Sequence, residues 1–226
     1  MKQVIQIRCK NNKKSQKVEI GSTLFDIFSA FDLKMTHGPV SARVNNKVEG
    51  MHYRVYNSKD VEFLDMTSSS GSRAYTRTLF FVLCKAVQDI YPATDVVIDI
   101  PVSNGFYVDI RLGRPVVDED VNIIRRRMQE IIDARMPIRR FTVPTEEAVA
   151  LFQEKGDVEK VKLLKTSGSI YTTYYKIGDY VDYYYGTLLT NTSQLYLFGL
   201  EKYYDGMLLR IPSLKNPDVL GEMTRQ

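Results

Sequence analysis

Histidines and cysteines are the side chains most ready to bind metals or move protons near neutral pH. This chain holds His37, His52, Cys9 and Cys84 and no others of either type. Both histidines fall in turn-like stretches, where a surface role is expected, and no CxxC spacing brings the thiols together. Neither a metal centre nor a disulfide framework is therefore expected. The run Thr67–Ser72, TSSSGS, is rich enough in hydroxyls and glycine to cradle a phosphate. It lacks the GxxxxGK[ST] pattern, whose lysine and hydroxyl reach phosphate and magnesium, and reads as a linker. Arg125, Arg126 and Arg127 fit either an RNA surface or a solvated helix face. Tyrosines, fifteen in all and dense between Tyr171 and Tyr204, could stack bases, but their alternation also suits packing on a sheet.

The elements that must position these groups follow from periodicity. Ile5, Ile7 and Cys9 alternate with Gln6 and Arg8, as in a half-buried strand. Asn11–Lys14 is a polar hairpin turn leading to a second strand near Gln16–Ile20, with asparagine suited to the left-handed residue. Gly21 breaks that strand, and Thr23 with Asp26 resembles a capping box for a helix whose apolar stripe is Leu24, Ile27, Phe28 and Phe31. The segments SARVNN and KDVEFLDM supply two more short strands, with a turn at Asn45-Asn46. Tyr75–Tyr91 then repeats apolar residues at steps of three and four (Leu79, Val82, Leu83, Ala86, Val87, Ile90), the pattern of a core helix closed by Pro92.

Two strands about Asn104-Gly105 come next, then a helix opened by Asp118-Glu119-Asp120, where the macrodipole favours acidic groups. A strand IRRFTV precedes a short helix over Thr145–Phe152 that ends at Gly156. Further helical turns cover Val158–Leu164, and β-like segments begin at Ser169. The expected class is α+β: a small β-grasp domain, then an α+β domain with a long central helix on a largely antiparallel sheet. The boundaries read as 1–66 for the first domain, 67–74 for the linker and 75–211 for the second domain. Residues 212–226 read as an exit segment toward a domain not in this chain.

Composition narrows the function classes. With 44% apolar and 26% charged residues in 226, the chain suits ordinary globular domains. It has no apolar run near the roughly 18 residues needed to span a membrane, and its start lacks a signal-peptide core. A cytoplasmic protein without membrane partners is expected. Residues 1–66 hold 11 Lys/Arg against 7 Asp/Glu, and residues 67–226 hold 20 of each, so the +4 excess sits in the N-terminal third. Such an excess fits an RNA surface or merely solvated lysine-rich turns.

In order, VNNKVEG with DVEFLDM, AVQDIYP (86–92), IPVSNGFYVDI (100–110), DEDV (118–121), TEEAVALF (145–152), EKVKLL (159–164) and GDYVDYYYG (178–186) resemble the N-terminal region of bacterial threonyl-tRNA synthetases. Residues 1–66 look like the TGS domain of that family, and the following region looks like its editing domain. The resemblance implies an editing pocket with a His-x-x-x-His pair on the long helix and a Cys-x-x-x-His segment after Tyr-Val-Asp. Here those places hold Arg77 and Phe81, then Tyr184 and Leu188. Phenylalanine and leucine offer no lone pair, and arginine cannot act as a base near neutral pH. Lys160 and Asp182 persist, and with Arg77 and Tyr184 they are the candidate residual pocket, or else a structural ion pair. We expect Phe81, Tyr184 and Leu188 to close the old hydrolytic pocket or make it apolar. No catalytic residue and no metal site are expected in this chain.

A retained scaffold without its ligands also resembles the N-terminal accessory region of bacterial TGS-containing uridine (nucleoside) kinase-like proteins. That resemblance implies a P-loop kinase domain beyond Gln226 in the same polypeptide, with ATP and Mg²⁺ as cofactors bound there and none in this chain. The alternative is a tRNA-binding or editing module of a threonyl-tRNA synthetase, or a stand-alone relative, with hydrolysis lost. Expected partners are RNA or tRNA, or a small regulatory ligand. The oligomeric state is not legible in the sequence.

Overall fold

The computed structural model describes residues 3–102 and 105–221. The chain divides into two compact units, residues 1–136 with 187–226, and residues 137–186. The boundary expected after residue 66 falls inside the first of them.

In the first unit, β1 (Val4–Cys9), β2 (Ser15–Glu19), β3 (Ser41–Val44), β4 (Lys47–Gly50) and β5 (Lys59–Leu64) form a sheet of order β2-β1-β5-β3-β4. β1 and β5 run parallel at its centre, and the other pairs are antiparallel. Helix α1 (Leu24–Ala30) joins β2 to the second half, as the β-grasp expectation requires. Its start is local chemistry: the Thr23 hydroxyl accepts from the Asp26 N–H, and the Asp26 carboxylate accepts from the Thr23 N–H at 2.9 Å. Ile7, Cys9, Leu24, Ile27, Val61 and Phe63 are buried together, so the alternation read in β1 and the stripe read in α1 meet in one core.

Three local features differ from expectation. In the first turn the left-handed residue is Lys13 (φ 60°), while Asn12 accepts from the Lys14 N–H and Asn11 ties the turn to Phe63 on β5. The asparagines are used for their side chains. The Asn45-Asn46 turn joins two strands of its own, because Lys47–Gly50 pairs with β3 and so adds a strand to those expected. The expected linker is taken up into helix α2 (Ser69–Ile90), which starts six residues before Tyr75. Ser68 caps it by accepting from the Gly71 N–H at 3.0 Å, and Asp65 holds the Thr67 N–H and hydroxyl. Serine-rich composition was a cap here and not a flexible tether.

α2 buries Leu79, Val82, Leu83, Ala86 and Val87, as its periodicity predicts. Thr78, Phe81 and Lys85 are buried too, so the enclosed surface is wider than one stripe. α3 (Asp118–Asp133) packs on α2 and buries Val121, Ile124, Met128, Ile131 and Ile132. Arg125 and Arg126 are exposed, and Arg127 pairs with Asp89 and Glu130. β6 (Val96–Val102), β7 (Gly105–Ile110), β11 (Gly199–Tyr203) and β12 (Gly206–Arg210) form an antiparallel sheet of order β11-β12-β7-β6. Asn104, half of the expected Asn-Gly turn, lies outside the described residues. Beyond β12, residues 211–221 fold back on themselves through a Pro212–Leu220 bridge.

The second unit holds β8 (Arg139–Pro144), α4 (Thr145–Glu154), α5 (Val158–Thr166), β9 (Tyr171–Ile177) and β10 (Tyr180–Tyr183). The strands pair antiparallel in the order β10-β9-β8. One sheet face packs Val143, Tyr174, Val181 and Tyr183 against Ala148, Val149, Phe152 and Leu164 of the two helices. Gly156 (φ 75°) ends α4 in the left-handed conformation that glycine adopts without steric cost.

Candidate functional site

In the second unit, Asp157 caps α5 by accepting from the Lys160 N–H at 3.0 Å. That cap places Lys160 on the first helical turn, three residues on. Its Nζ lies 2.8 Å from Asp157 Oδ2 and 2.8 Å from Asp182 Oδ1. Asp182, on the edge strand β10, is 6% exposed. It also accepts from the Tyr180 hydroxyl at 2.9 Å and from the Tyr183 N–H at 2.7 Å. The ring of Phe152 lies 5.9 Å from the ammonium.

Burial works against the Lys160 ammonium, but the Asp182 charge and the hydrogen bonds to Asp157 and Asp182 outweigh it. The group is held above the ordinary lysine range. Such a lysine stays charged at neutral pH and makes a poor general base; its chemistry is that of a fixed cation between carboxylates. Tyr184, next to this cluster in sequence, is half-buried.

The other expected positions lie in the first unit. Arg77 is half-buried on α2, whereas Phe81 and Leu188 are both 0% exposed. The segment bearing Leu188 is fastened to the helix, because the Leu189 N–H donates to the Thr78 hydroxyl at 2.9 Å, and that hydroxyl donates in turn to the Ala74 carbonyl. Two places where the resemblance calls for imidazoles are thus filled by enclosed hydrocarbon. Among the described residues no group of three or more His, Cys, Asp or Glu side chains is arranged to hold a metal ion.

The remaining reactive types are accounted for individually. Cys9 is buried and Cys84 half-buried, and neither forms a disulfide. His52 is half-buried. His37, expected to serve only as surface, stacks on Tyr196 with ring centroids 3.6 Å apart and bonds to Asp218.

Sequence reasoning missed two polar networks. Asp157 was findable as a helix cap three residues before a lysine. Asp120 was less so: it accepts from Arg114 through both oxygens, from the Tyr91 hydroxyl at 2.6 Å and from the Val117 N–H at 2.9 Å. The Arg114 hydrogen bonds, against the cost of burial, hold its carboxyl well below the usual carboxylate range.

No family model matches the chain. The threonine–tRNA ligase of Clostridium kluyveri is 30% identical over 193 residues, which is 84% of this chain and 30% of that protein. That of Syntrophotalea carbinolica is 30% identical over 204 residues, 85% of this chain and 32% of the relative. The Acetivibrio thermocellus protein is 29% identical over 181 residues, covering 80% and 28% respectively. The chain is therefore related to threonyl-tRNA synthetases over about four-fifths of its length and carries a domain like theirs. It spans about three-tenths of the length of the curated relatives it matches. Among the described residues no helix is long and apolar enough to cross a membrane.

Proposed function

We propose that this chain is a tRNA-binding module related to the N-terminal editing region of threonyl-tRNA synthetases, in which the hydrolytic site has been lost. One observation carries the reading. Over a stretch homologous to these synthetases, two places where the family resemblance puts catalytic histidines hold Phe81 and Leu188, both enclosed. Lys160 and Asp182 are kept and are bonded to each other and to Asp157, Tyr180 and Tyr183, which fits a part in the shape of the second unit. Binding of tRNA needs cationic surface and aromatic faces, and can survive the loss of every hydrolytic group.

The relatives support this synthetase reading above the kinase-linked one, in which ATP and Mg²⁺ would be bound by a domain beyond Gln226. The test is equilibrium binding of threonine-specific tRNA over a salt series, together with a deacylation assay on seryl-tRNA. The module reading expects affinity that falls steeply with salt, from counterion release, and no hydrolysis above the buffer rate. Salt-independent or undetectable binding would overturn the tRNA assignment. Turnover of seryl-tRNA would overturn the loss of the site. A P-loop sequence encoded after Gln226 would restore the kinase parent, and class II synthetase motifs there would remove it.

A further inference from the structure

After β12 the chain turns back as a short strap over residues 211–221. Its internal bonds run from Ser213 N–H to Val219 O at 2.9 Å and from Gly221 N–H to Ile211 O at 3.1 Å. Arg210 donates to the Gly221 carbonyl and closes the base of the strap. Its outer bend is fastened at two points to other parts of the first unit. The Tyr196 hydroxyl donates to the Pro217 carbonyl at 2.9 Å, and His37 Nε2 lies 2.7 Å from Asp218 Oδ1. His37 belongs to the loop after α1, far from the strap in sequence. Its ring lies parallel to that of Tyr196, at 6°, and Tyr196 packs edge-on against the buried Tyr75.

We propose that His37 and Asp218 form a proton-sensitive latch, which holds the strap on the N-terminal region and tightens as the imidazole takes up a proton. A neutral imidazole can give Asp218 one hydrogen bond; the imidazolium adds an ion pair to the same contact. Of the groups facing the ring, Asp218 is a carboxylate in direct contact, and the stacked Tyr196 presents an electron-rich face. Tyr196 itself does not compete for the change: burial, followed by the charges of Asp218 and Asp65, pushes its hydroxyl up to about 12, so it stays neutral. Tyr75, behind it, is pushed higher by burial.

The strap also forms a wall of a cavity of about 700 Å³, where Pro212, Leu214, Val219 and Leu220 face Phe106 and Ser72. Unlatching the strap would open that cavity.

The test is hydrogen exchange of the strap peptide in the full chain at pH 5.5 and 8.0, corrected for intrinsic exchange, in wild type, His37→Gln and Asp218→Asn. Asp218 is 66% exposed on its side chain, so its variant perturbs no core. Protection of the strap should be about two- to fivefold greater at the lower pH in wild type, the range set by an exposed ion pair. That ratio should fall to about one in both variants, with the β11–β12 hairpin unchanged. A wild-type strap indifferent to pH, or variants that keep the wild-type ratio, would overturn the latch.

Discussion

Lys160 Nζ sits 2.8 Å from Asp182 Oδ1, joining the first turn of α5 to the edge strand β10. Asp182 is nearly sealed from solvent, so removing its cation leaves a buried carboxylate with only neutral donors. Lys160→Met should destabilise the second unit by about 1–3 kcal/mol, and Asp182→Asn by less, because the tyrosine and backbone donors keep an acceptor. Denaturant titration of both variants and their double mutant measures the coupling. Near-additive losses would mean that the pair does not act as a unit.

The same pair sets an alkaline signature. A lysine held above its unfolded value contributes stability that is fully present below about pH 10.4 and is lost as pH rises through its folded value. Wild type should therefore lose stability above about pH 10.4 more steeply than Lys160→Met. The difference between the two curves, measured by urea unfolding across pH 8 to 11.5, cancels the tyrosines that titrate in both proteins.

Asp120 gives the opposite sign. Its carboxyl is depressed by Arg114 and Tyr91, so its contribution is present above about pH 3.9 and disappears as pH falls through the folded value. Asp120→Asn should cost about 2 kcal/mol at pH 7, the scale of charged hydrogen bonds, and flatten the acid limb below pH 4. Thermal melts from pH 2.5 to 7 would show it; parallel acid limbs would refute the assignment.

Phe81 is wholly enclosed on α2, and truncating it should cost about 3–5 kcal/mol. Phe81→His should also destabilise, through an imidazole buried without planned partners, and should bind no zinc by itself. Calorimetry with and without zinc separates the two statements. A zinc-stabilised Phe81→His protein would mean that the family pocket is still formed.

Gly71 is needed for close approach. A Cβ there would meet the Asp65 carbonyl and Val40, so the first turn of α2 must lie against the chain leaving β5. Gly71→Ala should destabilise by about 1–3 kcal/mol, the usual cost of overpacking, even though alanine is the better helix former. Gly113→Ala has open space but a left-handed φ of 74°, and should cost about 1 kcal/mol through backbone strain alone.

The elements with dense local rules were legible from sequence. The Thr23–Asp26 box, the Gly156 stop, the apolar steps of α2 and the alternation of β1 each depend on residues a few positions apart. Where two local rules competed, sequence chose wrongly: TSSSGS satisfies both a linker and a capped helix start, and the contact of Gly71 with Asp65 and Val40 goes with the second. At Phe81 and Leu188, where the resemblance puts histidines, the want of a lone pair could be read by type alone, because hydrocarbon offers none in any fold. That Phe81 and Leu188 are sealed, that Lys160 is shared between Asp157 and Asp182, and that His37 meets Asp218 were decided by tertiary structure. Burial and long-range charge pairing depend on which segments come together in space, and that is fixed by the summed packing of the whole core and by no short window of the chain.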